Sequence, residues 1–280
     1  MRYRIRHATE FAYDEPVTLC HNVARLRPRA CFGQVCTRFD LFLDPRPAYR
    51  RDRVDFFGNP ATDFSLEEPH HRLSVVSELE VDLASAVAPP PGPPWESAVH
   101  PLEARAFAFS SPLAQTGRGP ADYARVSFTP GRPLVEAALD LSGRIHADFR
   151  FVPGATTVGT PVDEVLRKRE GVCQDFAHLE IACLRSLGLA ARYVSGYALT
   201  DPPEGGERIP GGDASHAWLS VFIPGWGWLD VDPTRGRRPD ATHATLGWGR
   251  DYADLPPLKG VLLGGSGQSL KVAVDMIPLA

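Results

Sequence analysis

The 280-residue chain predicts an α+β protein: an N-terminal antiparallel β-sandwich, then a core in which a cysteine-bearing helix precedes antiparallel strands. Three observations carry that expectation. Hydrophobicity alternates with period two through the first 88 residues. A proline-rich run, Ala88-Pro-Pro-Pro-Gly-Pro-Pro94, interrupts it. Beyond the run, apolar residues recur at helical spacing until Gly188, after which alternation returns.

In the first segment Tyr3, Ile5 and His7 alternate with Arg2, Arg4 and Arg6. Phe39, Leu41 and Leu43 alternate with Asp40, Phe42 and Asp44, and Leu73 to Leu83 repeats the pattern. Turn signals separate these runs at Asp14-Glu-Pro16, Asp44-Pro-Arg-Pro47 and Gly58-Asn-Pro60. Short strands so spaced predict a small sandwich over residues 1–88. The prolines at 89–94 suit a stiff linker rather than a packed element, so 89–100 is assigned as linker and 101–280 as core. In the core, Pro133 precedes Leu134, Val135, Ala138, Leu141 and Ile145 at helical period. Pro161 opens a short helix with acids early and bases late, matching the helix dipole, and Gly171 is expected to end it. The third helix runs from Cys173 to Leu187, with Phe176, Leu179 or Glu180, Cys183, Leu184 and Leu187 on one face and Gly188 as its C-cap. Strands are expected at 191–199, 215–222, 228–232 and 270–277.

Composition narrows the function classes. A net charge of −4 argues against nucleic acid or an anionic membrane as partner. No apolar run approaches the roughly 18 residues of a membrane span, and the first residues alternate without a secretory apolar stretch. A cytoplasmic location is therefore expected. The five cysteines, Cys20, Cys31, Cys36, Cys173 and Cys183, do not form a disulfide framework. A metal site joining Cys20, Cys31 and Cys36 to His21 or His70-His71 matches none of the usual zinc spacings, so no metal or other cofactor is expected.

The informative stretch is Gly171-Val-Cys-Gln-Asp-Phe-Ala-His178. A cysteine at a helix start sits beside unpaired backbone N–H groups and the positive end of the dipole, which stabilise a thiolate. The same amides suit an oxyanion, and Gln174 is a candidate contributor. His216 lies in the alternating run Ala214-Ser-His-Ala-Trp-Leu-Ser-Val-Phe222, which Pro224-Gly225 turns into Trp228-Leu-Asp-Val-Asp232. With an odd loop centred on Pro224, His216 falls opposite Asp232 and Trp218 opposite Asp230. An even loop would put His216 and Asp232 on opposite faces. The odd register favours Asp232 as the acid that orients His216, and places Trp218 on the His216 face, where it could line an acyl site. Thiol, imidazole and carboxylate in this order suit cysteine catalysis, with Cys173 as nucleophile, His216 as base and Asp232 as orienting acid. His178, five residues after Cys173, turns off its face and is expected to be structural, as is Cys183. Tyr197 is expected to pack. The Gly- and Pro-rich segment Thr200 to Asp213 is expected to help cover a substrate cleft.

These motifs, with Ala-Arg-Tyr-Val-Ser-Gly-Tyr197, Ser-His-Ala-Trp-Leu-Ser-Val and Gly-Trp-Leu-Asp-Val-Asp-Pro-Thr234, closely resemble the core of the bacterial transglutaminase-like superfamily. Asp55-Phe-Phe-Gly-Asn-Pro-Ala-Thr-Asp-Phe64 and Pro69-His-His-Arg-Leu-Ser-Val75 resemble the β-rich domain that precedes it in bacterial members. The resemblance implies a papain-like, transglutaminase-like core and acyl transfer through a thioester. It places the family's nucleophile on Cys173, its histidine on His216 and its aspartate on Asp232. Animal members use calcium; no acidic loop with calcium-ligand spacing is present in this sequence. The expected activity is a cysteine peptidase or amidase acting on a peptide or protein. The alternatives are a transglutaminase passing the acyl group to an amine, and a binding module that keeps the fold without chemistry.

Overall fold

The computed structural model describes residues 1–200 and 215–279. The N-terminal part holds β1 (Arg2–Ala24), β2 (Gln34–Asp44), β3 (Tyr49–Val54), β4 (Pro60–Leu66) and β5 (His70–Leu83). The core holds α1 (Leu102–Arg105), α2 (Arg118–Arg125), α3 (Leu134–Asp148), β6 (Arg150–Phe151), α4 (Val162–Lys168), β7 (Glu170–Gly171), α5 (Cys173–Ser186), β8 (Ala191–Ala198), β9 (Ser215–Ile223), β10 (Gly227–Val231) and β11 (His243–Gly249). Two strands close the chain, β12 (Leu258–Gly264) and β13 (Ser269–Leu279).

One long bent strand makes the sandwich. The Arg2–Ala12 half of β1 lies between β5 and β13, and its Val17–Ala24 half between β4 and β12. The register breaks between Ala12 and Val17, so Asp14-Glu-Pro16 bends one strand instead of separating two. The halves fold over each other, and Val17, Cys20, Phe64 and Leu66 meet Leu41, Leu73 and Val75 in one core. The two C-terminal strands therefore belong to the N-terminal sheet, not to the 101–280 core in which their position in sequence places them. Alternation marks a strand but does not name its partner when the partner is more than 250 residues away.

The proline run is pinned to the core. Pro93 and Pro91 carbonyls accept the N–H groups of Leu134 and Val135 at 2.9 and 3.2 Å. Proline lacks a donor but keeps its acceptor, so the run satisfies the first turn of α3, whose amides have no partner within the helix. The short α4 ends earlier than expected. Arg169 adopts φ +58 and stops the helix, while Gly171 sits in β7. Gly188, at φ +80, caps α5 as expected, and the Leu189 N–H returns to the Leu184 carbonyl.

The core sheet has the order β10-β9-β8-β11. Helix α5 packs on one face, with Phe176, Leu179 and Cys183 sharing a core with Tyr193, Ala217, Leu219 and Val221. Glu180 is buried as well, because α5 is enclosed on nearly all sides. The buried Arg185 fixes its far end, donating to the carbonyls of Phe107, Ala191 and Arg250 and to the Ser111 hydroxyl. The outer edge of β11 is closed by side chains from the N-terminal part. Gln34 exchanges two hydrogen bonds with the Thr245 backbone, both 2.7 Å, and Asn59 does the same with Trp248 at 3.0 and 2.9 Å. Each amide stands in for a missing strand.

Asn59→Ala is expected to lower stability by about 2–3 kcal/mol, because it strands one donor and one acceptor of Trp248. Urea unfolding of the full chain measures it.

Candidate active site

Cys173 is the first residue of α5, and Val172 before it is extended. The turn is tight: a β-carbon on Gly171 would lie 2.9 Å from Asp175. Asp175 accepts from the Val172 N–H at 2.8 Å and the Thr156 hydroxyl at 2.6 Å. Burial raises its pKa, and these two donors work against the rise. The first bonds of the helix run from the Asp175 and Phe176 amides to the Val172 carbonyl. The N–H groups of Cys173 and Gln174 stand ahead of that ladder.

His216 enters from β9, opposite Gly196 of β8. Gly196 has no room for a side chain: a β-carbon there would meet the Ala244 carbonyl oxygen at 2.1 Å and the Trp218 ring at 2.5 Å. The β9–β10 pairing differs from the expected register by two residues. Trp228 pairs with Phe222 and Asp230 with Ser220, so the turn is centred on Gly225, which takes φ +79. Glycine fits that left-handed position and proline cannot, which shifts the centre by one residue and each pair by two. The loop remains odd, so Asp232 stays on the His216 face, one diagonal step away. Asp230 does not face Trp218; its carboxylate accepts the Ser220 hydroxyl.

His216 and Asp232 bond directly, with Nε2 2.8 Å from Oδ2, and Cys173 is near enough to the His216 ring to act on its pKa. With Nε2 on the carboxylate, Nδ1 is left for the sulfur. Asp232 is fully buried. Its Oδ1 accepts the backbone N–H groups of Thr234 and Arg235 at 2.9 and 3.3 Å, and its Oδ2 also lies 3.4 Å from His243 Nε2. Burial disfavours a charged imidazole, but the bond to Asp232 and the nearness of Cys173 outweigh it and push His216 up to about 9. Burial likewise disfavours a charged Asp232, and the two histidines overcome it, holding the carboxyl well below its ordinary range. Metal-ligating atoms of His216, Asp232 and His243 lie within 4.8 Å of one another. That spacing would admit a cation, but His216 and Asp232 already bond directly.

The remaining expectations fall in different places. Trp218 is fully buried, with its ring centroid 5.9 Å from that of His216 and 5.5 Å from that of His243. Gln174 directs its side-chain amide at the Val158 carbonyl, 3.4 Å away. His178 accepts the Tyr252 N–H at 3.1 Å, and burial lowers its pKa to about 4, as suits a structural ring. Burial pushes the Cys183 thiol up and keeps it unreactive. Tyr197 is buried and hydrogen-bonds His7 of β1. Cys20, Cys31 and Cys36 are free thiols, and the Cys20 sulfur approaches His70 Nε2 at 4.0 Å. The segment expected to cover the cleft lies outside the described residues, apart from Thr200. Sequence reasoning missed His243 and all of β11, whose run His243-Ala-Thr-Leu-Gly-Trp carries the β-branched and aromatic signal of a strand, weakened by its glycines. It also missed Glu180 as a buried acid: burial raises its carboxyl well above the usual range, against the opposing effect of the Ser142 hydroxyl.

Residues 3–82 match the bacterial transglutaminase-like N-terminal region, and residues 123–233 match the transglutaminase-like superfamily. An uncharacterised protein of Mycobacterium tuberculosis is 43% identical over 99% of this chain and 93% of its own length. Another from Mycobacterium leprae is 33% identical over 100% and 99%. The chain belongs to the transglutaminase-like superfamily. A protein-glutamine gamma-glutamyltransferase of Pseudomonas aeruginosa is 31% identical over 46% of this chain and 20% of its own. The structure of a proposed cysteine protease from Cytophaga hutchinsonii superposes with a TM-score of 0.80 at 20% identity, covering 100% of this chain and 91% of that one, and shares the fold.

The raised His216 sets a pH window. A group whose pKa rises on folding contributes stability fully below its unfolded value, about 6.5, and loses it as pH climbs through about 9. The depressed Asp232 contributes above about pH 4 and loses its share as pH falls through its lowered value. The stability difference between wild type and His216→Gln, from urea unfolding, is therefore expected to be largest at about pH 5–6.5 and to shrink toward pH 9. A difference that grows with pH would contradict the pairing.

Proposed function

We propose that the protein is a cysteine-dependent hydrolase, a peptidase or amidase working through a thioester. One observation carries the proposal: Asp232 holds the His216 ring at 2.8 Å, and Cys173, at the start of α5, is near enough to raise the pKa of that ring. In the proposed reaction His216 takes the thiol proton as Cys173 Sγ attacks the amide carbonyl carbon. The N–H groups of Cys173 and Gln174 stabilise the oxyanion. The C–N bond breaks, and the proton on His216 passes to the departing amine. His216 then takes a proton from water, whose oxygen attacks the thioester carbon. The C–S bond breaks, the acid leaves, and the thiol recovers its proton. Asp232 fixes the His216 tautomer and stabilises the imidazolium throughout.

A second reading keeps the first half and lets an amine replace the water. The likeness to the Pseudomonas aeruginosa protein-glutamine gamma-glutamyltransferase favours it. Both readings take a peptide or protein amide as substrate.

A fluorogenic peptide library, run with and without a dansylated alkylamine, separates them. Hydrolysis without amine incorporation is expected. Cys173→Ala should abolish turnover, and Asp232→Asn should reduce it by about 10²–10⁴-fold. Hydrolysis that survives Cys173→Ala overturns both readings, and amine incorporation in preference to hydrolysis selects the second.

A further inference from the structure

We infer that His243 is a positioning residue for Cys173 chemistry, acting as a second imidazole donor that fixes the Asp232 carboxylate toward His216. The inference rests on the catalytic reading of Cys173, His216 and Asp232 given above.

His243 is the first residue of β11 and is almost fully buried. Its Nδ1 lies 3.3 Å from the Asp240 backbone N–H, from the Asp240 carboxylate and from the Thr242 hydroxyl. A proton on Nε2, the atom 3.4 Å from Asp232 Oδ2, serves that carboxylate and lets Nδ1 accept from the Asp240 N–H. The ring cannot swing away. Trp218 packs edge-on against it, and the Asp240 turn, tied by Thr242, holds its other end.

Asp232 explains why a second donor matters. Its Oδ1 takes two backbone amides and its Oδ2 takes two imidazoles. Turning the carboxylate about its own bond would break all four at once. Without His243, Oδ2 keeps the His216 imidazole and only a long contact to the Arg235 guanidinium at 3.9 Å, and the carboxylate gains freedom to leave His216. His243 also helps wall a cavity of about 680 Å³ shared with Trp218 and Thr245.

The variants separate donor from filler. His243→Gln keeps an N–H donor at similar reach. His243→Asn is polar but too short. His243→Phe fills the wall without a donor. The readout is the rate at which iodoacetamide alkylates Cys173 at neutral pH, followed by mass spectrometry of the Cys173 peptide, with folding checked by circular dichroism. His243→Asn and His243→Phe should slow alkylation about tenfold, the weight of one hydrogen bond to a charged group, while His243→Gln stays within about threefold of wild type. Asp232→Asn should slow it at least as much as His243→Phe. Wild-type rates in His243→Asn and His243→Phe beside a slow Asp232→Asn would overturn the inference and spare the catalytic reading. So would a His243→Gln as slow as the other two, since that result would mean packing alone. A wild-type rate in Asp232→Asn would remove the catalytic reading and this inference with it. Asn and Gln differ by one methylene, so the comparison stands even if the phenylalanine variant does not fold.

Discussion

A buried carboxylate organises the centre of this protein. Asp232 has no contact with solvent, and an ionised group in that position is tolerated only when its oxygens are fully engaged. The requirement acts on three segments together. The turn after β10 must bring the Thr234 and Arg235 amides round to Oδ1, β9 must deliver His216, and β11 must deliver His243. A shift of any one by a single residue would strand charge in the interior. The register of the sheet is held by chemistry at its end as much as by the packing of its faces.

The sheet must also serve helix and sandwich together. One face receives α5, with Cys173 at its start and Arg185 anchoring its far end. The outer edge of β11 receives Gln34 and Asn59, which complete its hydrogen bonds. Tyr3, Ile5, Val274 and Met276 of the sandwich join Tyr197, Ala244 and Leu246 of the core in one apolar cluster. The N-terminal part therefore supports the strand that carries His243, and through it the carboxylate. Its two C-terminal strands return across the whole chain to flank β1, which ties the ends of the polypeptide to the same support.

Much of this was legible in the sequence, for physical reasons that can be named. Helix α5 announced itself by a glycine before, a glycine after and apolar residues between. Cys173 stood out because it opens a helix and has a histidine and an acid downstream, and His216 and Asp232 because a proline-glycine turn separates two alternating runs. What could not be read was set by partners distant in sequence. The β9–β10 register moved by two residues because φ at Gly225 outweighed symmetry about Pro224. The destination of β13 depended on the far end of the chain. Asn59 read as part of a turn and Gln34 drew no notice, since nothing local shows that an amide will complete a strand edge about 190 and 211 residues away. His243 was hidden in the same way: its role depends on an acid eleven positions earlier, reached through a turn.

The choice between water and an amine as acyl acceptor follows a different logic from the choice of nucleophile. His216 would serve either one in the same way, as a base that takes a proton from whatever approaches the thioester. Water is the bulk solvent, whereas an alkylamine near neutral pH is almost all protonated and must shed both its proton and its hydration before attacking. An amine therefore wins only where the surroundings of the thioester exclude water and hold the amine in line. Hydrolysis is the default outcome of a thiol–imidazole pair, and amide formation is the outcome that requires additional construction. That asymmetry is the physical ground for placing the hydrolase first, and it locates the deciding residues in the walls of the substrate cleft rather than among Cys173, His216, Asp232 and His243.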